Sequence, residues 1–299
     1  MEKTVNNTKP FKTYEEQLDI LISRGLIVEN REYAIQKLSQ LNYYRISGYS
    51  LTLRKDDVFY EGTCFEDIIQ IYNFDSKFRA YMMEELAHVE IYIKSLIGYE
   101  VARVGGPRAL YDESAFALAE GYDSFRISLA QAIEQNKNEP FVKHHIHCYG
   151  SKFPSWAAVE LLSFGQASKL FANLTPSYRD AIGSRFGNLP TYHIDSWLQC
   201  CSELRNKCAH RSRLFNRGFV PVNFTEAQKK YLKEHDLLVS QNWGNTLFAT
   251  AIIIKKILEP SEYPLRFVEK IKQLQEAYPF VLVDHYGMPS DWEEIIINI

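Results

Sequence analysis

Cysteine is scarce in this chain and poorly spaced for cross-linking. Five occur, Cys64, Cys148, Cys200, Cys201 and Cys208, an odd number with no C-x-x-C pair. That makes a poor disulfide framework and a poor zinc framework. Long apolar runs are also lacking, since no uncharged stretch approaches the roughly 18 residues that a membrane helix needs. The opening MEKTVNNTKPFKTYEEQ has no apolar signal core, so a cytoplasmic chain with no membrane segment is expected. Net charge is small: 34 Lys and Arg against 37 Asp and Glu leave −3. A protein that coats nucleic acid over its whole surface is excluded, but a local basic site is not, because a field depends on where charge sits. Internal repeats, low-complexity tracts and Pro/Gly/Ser linkers are missing as well.

What is present is helical spacing over 299 residues, 46% of them hydrophobic. Thr13 and Glu16 form a capping-box pattern ahead of a helix to Ile22, which Gly25 stops. Asn30 caps a second helix. Alternation on both sides of Lys55-Asp56-Asp57 suggests a small β-hairpin. A long helix over 65–101 carries Phe74, Phe78, Tyr81, Met82, Val89, Ile93 and Leu96 on one face, with a break near Asp75. Helices follow over 123–135, from Pro154 to Leu174 with Trp156, Phe164, Leu170 and Phe171 inward, over 192–210, 243–258 and 264–277. The expected fold is an all-α antiparallel bundle. Residues 1–62 form an N-terminal helical segment packed on a main domain of 63–299.

Positive charge is concentrated in one place. SELRNKCAHRSRLFNRG, residues 202–218, holds Arg205, Lys207, Arg211, Arg213 and Arg217 around His210, with no acid after Glu203. At about 100° per residue, Arg205 falls inside the apolar stripe beside Leu198, Cys201, Cys208 and Ala209. A guanidinium there loses water and cannot shed its proton, so it needs an anionic partner. Glu85, Glu90 and Glu160 each lie on or beside an apolar face, and any of them can hold Arg205 by a bidentate bond. His210 is five residues on, about 140° around the wheel. Either the helix ends near His210, or a second copy of the motif completes the site.

A lone histidine at a helix end is more often a cap than a catalyst, and a buried ion pair more often fixes register than does chemistry. The cluster of Asn206, Lys207, Arg211 and Arg213 around His210 argues the other way. Lys and Arg neutralise phosphates. Histidine titrates close to neutral pH and can move a proton to or from a 2′-hydroxyl or a leaving 5′-oxygen. An arginine stabilises charge growing on phosphoryl oxygens. Together they suffice for metal-free RNA cleavage.

RNKCAH, with Arg205 followed by polar Asn206 and then His210, resembles the R-x4-6-H motif of the HEPN superfamily, many of whose members are RNases. In order along the chain, KPFKTYEEQLDILISRGL, LNYYRISGY, FPSWAAVELLSFG, RNKCAHRSRLFNR and HYGMPSDW resemble signature blocks of the Abi (abortive infection, AbiD/AbiF-type) family of bacterial phage-defence proteins. The resemblance implies a HEPN-type bundle, a catalytic site on Arg205, Asn206 and His210, no cofactor or metal, and two HEPN copies paired in a homodimer. RNA is the expected partner, as substrate of a toxin and as a regulatory small RNA, with Lys207, Arg211, Arg213 and Arg217 of the basic cluster and Arg45 beside the tyrosines as its binding residues. One departure is Ser212, which stands where some HEPN toxins carry a modified tyrosine.

Other readings stay open. HHIHCYG, residues 144–150, offers His144, His145, His147 and Cys148, but too tightly spaced for ordinary tetrahedral metal ligation. Tyr43, Tyr44 and Tyr49 beside Arg45 suit base stacking or a packed corner. Cys201 lies on the apolar stripe and reads as core filling. A non-catalytic RNA-binding module, or a protein-binding one, is the alternative to an enzyme.

Overall fold

Thr13 opens the first helix as its spacing predicts. The Thr13 hydroxyl accepts the Glu16 amide at 3.2 Å, and the Glu16 carboxylate accepts the Thr13 amide at 2.8 Å. This is seen in a computed structural model that describes residues 9–239, 243–261, 263–264 and 266–299. The described residues form fourteen α-helices and one two-stranded hairpin, an all-α fold. They fall into two compact units, Met1–Phe78 with Gln273–Leu282, and Arg79–Lys272 with Val283–Ile299. The boundary read from sequence, between 62 and 63, lies inside the first unit.

The first unit begins with α1 (Tyr14–Ser23), which ends before Gly25 at φ +94°. Asn30 then accepts the Tyr33 amide and starts α2 (Arg31–Leu41). A short α3 (Tyr43–Tyr49) was not evident in the sequence. Asn42, at φ +67°, both ends α2 and caps α3 through the Tyr44 amide. The hairpin pairs β1 (Arg54–Lys55) with β2 (Val58–Phe59). Asp56 and Asp57 both take positive φ, which a two-residue turn needs to match strand twist. The helix α4 (Phe65–Gly105) does not break near Asp75, contrary to expectation. Asp75 is buried and accepts the Tyr49 hydroxyl at 2.6 Å, so its carboxylate does not compete for the helix backbone.

The second unit takes α4 from Arg79 onward. It continues with α5 (Ala119–Gln135), α6 (Pro140–Tyr149), α7 (Ser155–Glu160), α8 (Phe164–Asn173) and α9 (Pro176–Gly183). Then come α10 (Thr191–Ala209), α11 (Glu226–Glu234), α12 (Leu247–Leu258), α13 (Phe267–Ala277), whose last residues belong to the first unit, and α14 (Trp292–Asn298). The helix α10 packs against α8 and α12, and α8 also meets α5. Ile252, Ile253 and Ile254 of α12 are successive and all buried, the mark of a helix surrounded by core.

The single helix expected from Pro154 to Leu174 is two. Ser163 and Gln166 form a capping box that starts α8 afresh, with the Ser163 amide donating to the Gln166 side chain at 2.8 Å. The S-x-x-Q signature in SFGQ was available in the sequence, and the apolar periodicity around it masked it. As a result Trp156 is 53% exposed rather than stacked inward with Phe164.

Candidate functional site

Residues 202–218 leave α10 through a left-handed turn. Ile194, Trp197, Leu198, Cys201 and Leu204 are buried as expected, and Cys208 joins them. They fix the rotation of α10. At its end His210 is the capping residue, and its amide donates to the Asn206 carbonyl at 2.9 Å. Arg211 then takes φ +54°, its amide donating to the Cys208 carbonyl at 3.1 Å, while the Ser212 amide reaches the Lys207 carbonyl at 2.9 Å. Those two bonds make a Schellman motif, with an arginine where glycine is the usual choice. Of the two alternatives left by the wheel, the helix does end at His210.

Downstream, Leu214 and Phe215 are buried and anchor the turn. The Phe215 ring meets His285 at 4.9 Å and Tyr286 at 5.7 Å, and the Asn216 amide donates to the His285 carbonyl at 3.0 Å. His285 and Tyr286 therefore support Phe215 and Asn216. The Glu203 carboxylate accepts the Val220 amide at 2.7 Å and pairs with Lys207 at 3.0 Å. His193 Nδ1 and Trp197 Nε1 both donate to the Asn223 carbonyl, each at 3.0 Å. The basic segment is thus tied down before and after its exposed part.

Arg205 is half-buried rather than enclosed, with 29% of its side chain exposed. Its partner is Glu90 on α4, with Nε 3.3 Å from Oε2. The expected bidentate bond is not made, since the contact engages one guanidinium nitrogen. Nη1 donates to Asn206 Oδ1 at a long 3.4 Å. Glu90 also faces Lys94 at 3.9 Å, so it stands between two cations.

The other two candidate carboxylates serve elsewhere. Glu85 is buried, and its Oε1 accepts the Arg266 amide at 3.0 Å, just before α13. Burial pushes its carboxyl above the ordinary range, against the lowering effect of that amide. Glu160 is the last residue of α7, is exposed and makes no pair with Arg205, and the break that follows it separates it from Phe164 of the predicted stripe.

The remaining predicted residues are distributed unevenly. Asn206, His210, Arg211 and Arg217 are exposed, and Arg213 is half-buried. Lys207 is already engaged, by Glu203 and by the Phe219 ring 5.5 Å away. Arg45 lies on α3, in the first unit. Glu203 and His285 were missed as supports of the segment. Glu203 was legible as the one acid four residues before Lys207, and His285 only as part of a quoted block. Burial raises the Cys200 thiol to about 12 and raises Cys201 as well, so the vicinal pair is inert core. Among the described residues no cluster of three or more His, Cys, Asp or Glu is placed to hold a metal ion, and no helix is long and apolar enough to cross a membrane.

The site's chemistry is now specific: a half-tethered guanidinium, an exposed imidazole at a helix end, and exposed arginines after it. No curated protein and no solved structure matches the chain significantly. The family described as Abi-like protein does match, over residues 36–216, more than half of the chain. The match takes in LNYYRISGY, FPSWAAVELLSFG and RNKCAHRSRLFN, and it ends on the segment that anchors the turn after His210. The chain belongs to the Abi-like protein family.

Proposed function

We propose that this Abi-like protein acts in abortive infection, the phage-defence response for which the family is named, as a metal-independent endoribonuclease of HEPN type. The observation that carries the reading is the exit of α10. It sets Arg205, half-held by Glu90, on the helix body and exposes His210 and Arg211 at the turn. In the proposed reaction an RNA 2′-oxygen attacks the adjacent phosphorus and loses its proton to a base. The 5′-oxygen leaves and gains a proton from an acid, giving a 2′,3′-cyclic phosphate and a 5′-hydroxyl. Arg205 keeps donors for the phosphoryl oxygens, where charge builds. His210 is the proton carrier. One imidazole per chain suits one of the two proton transfers at a time, and a homodimer that brings two His210 residues together supplies both, by an isologous contact.

The test is cleavage of labelled RNA in EDTA by wild type and His210→Ala. Cut RNA that disappears with His210→Ala supports the enzyme. RNA bound but left intact by wild type overturns it in favour of a binding module.

A further inference from the structure

The histidine-rich stretch 144–149, which the proposed catalytic site does not use, lines a cavity of about 350 Å³. It sits in the second unit, between the end of α4, the end of α6 and the start of α7. Three local devices build it. Gly106 at φ +85° and Gly150 at φ +61° stop α4 and α6 there. The Ser155 amide and hydroxyl both donate to the Pro107 carbonyl, at 2.7 and 3.1 Å, which pins α7 to the end of α4. Gly98 on α4 lets α7 approach closely, since a Cβ there would stand 2.7 Å from the Trp156 Cα.

The side chains around this cavity have a consistent character. Trp156 and Tyr149 are 53% and 54% exposed, although both are large aromatics. Arg108 and Lys152 line the wall, exposed, and neither makes an ion pair among the described residues. No carboxylate lines it. His145 is fixed: it stacks on buried Phe153 at 4.9 Å, and its Nδ1 donates to the Phe141 carbonyl at 2.8 Å, which leaves Nε2 for a ligand. Flat exposed rings with unpaired cations and no acid suit a base to stack and a phosphate to neutralise. The volume is at the small end of ligand pockets, the size of one nucleotide rather than a chain.

We infer that this cavity receives one unpaired nucleotide of single-stranded RNA, its base on Trp156 and Tyr149 and its phosphate on Arg108 and Lys152. It rests on the reading that the chain acts on RNA, and it locates a second contact for that substrate. Along α4, from Glu90 beside Arg205 to Gly98 beneath Trp156, is about 12 Å at the ordinary helical rise. A strand of a few nucleotides crosses that distance, so the pocket can hold substrate while the Arg205 site acts on it.

The experiment titrates a labelled, unstructured ten-nucleotide RNA into the full chain carrying His210→Ala, over a range of salt. Trp156→Ala is expected to weaken binding at least about five-fold, and Trp156→Phe to restore most of it, because stacking needs an aromatic face. Arg108→Ala with Lys152→Ala is expected to weaken binding about ten-fold or more and to lower the slope of log affinity against log salt by about 0.7, one single-strand phosphate. Binding within two-fold and an unchanged slope in all these variants overturn the pocket. If wild type still cuts RNA in that case, the nuclease reading stands without it. RNA that is held through the pocket but never cut leaves the pocket standing and sinks the nuclease. A chain that holds no RNA sinks both.

Discussion

Arg205 Nε lies 3.3 Å from Glu90 Oε2, and both side chains keep some water, at 29% and 17% exposure. Removing one partner of a fully buried pair costs about 3–5 kcal/mol, while an exposed pair is worth about 0–1. Arg205→Ala is therefore expected to lose about 1–2 kcal/mol of stability, between those limits. RNA cleavage should vanish. Arg205→Lys should melt like wild type yet stay inactive, since an ammonium cannot present a planar fork to phosphate. Thermal melting beside a cleavage assay decides it, and a fully active Arg205→Lys refutes the role.

His210 supplies its backbone amide to the helix cap and leaves its ring exposed. His210→Ala should thus keep the melting temperature within about a degree, since an exposed substitution stays within about 0.5 kcal/mol. RNA affinity should be unchanged and cleavage lost. Normal cutting by this variant would remove the catalytic reading of RNKCAH.

Arg211 occupies a left-handed conformation that glycine adopts without strain. Arg211→Gly is expected to stabilise the chain by about 0.5–1 kcal/mol while weakening RNA binding through loss of a cation. Arg211→Ala should weaken binding equally without the gain. If both variants melt alike, the turn stores no strain.

Glu85 yields a pH signature. Burial raises its carboxyl above the ordinary range in the folded chain, so the folded state holds that proton more tightly than the unfolded one. Its ionisation then opposes folding, and stability falls as pH rises from the ordinary carboxylate range through the raised value. Glu85→Gln, which keeps an acceptor for the Arg266 amide, should be more stable than wild type at pH 7. That advantage should fade on acidification below the ordinary carboxylate range. Denaturant titrations of both forms at several pH values check the sign.

A homodimer predicts a light-scattering mass twice the 34.8 kDa of one chain. Dilution to monomer should abolish cleavage before it abolishes folding. A monomer that still cuts RNA would contradict the pairing of two His210 residues.

Much of the fold was legible because its signals are local. Thr13, Asn30 and the aspartates of the hairpin turn act within four residues of themselves, and each does what its spacing implies. The single helix drawn through Ser163 went wrong where an apolar period ran across a capping signal, and Trp156 and Glu160 were misplaced with it. For Arg205 the wheel gave an anionic partner, and that partner is Glu90. It could not choose among three acids, because that choice depends on which helix lies against α10. Nor could it show Glu85 turned toward the Arg266 amide, a contact 181 residues distant in sequence. The backbone of the exit turn was hidden for another reason: Arg211 takes a positive φ at a cap position where glycine or asparagine is the usual signal.

The cysteine distribution has a practical consequence. Cys200, Cys201 and Cys208 are shut in the core, and burial raises the thiol of half-covered Cys64, whereas Cys148 is exposed on α6, 3.7 Å from His144 Nδ1. A maleimide dye added to the native chain should accordingly react at Cys148 first. That attaches a fluorophore one residue before Tyr149, so the native protein carries its own labelling point for watching whatever enters beside Trp156.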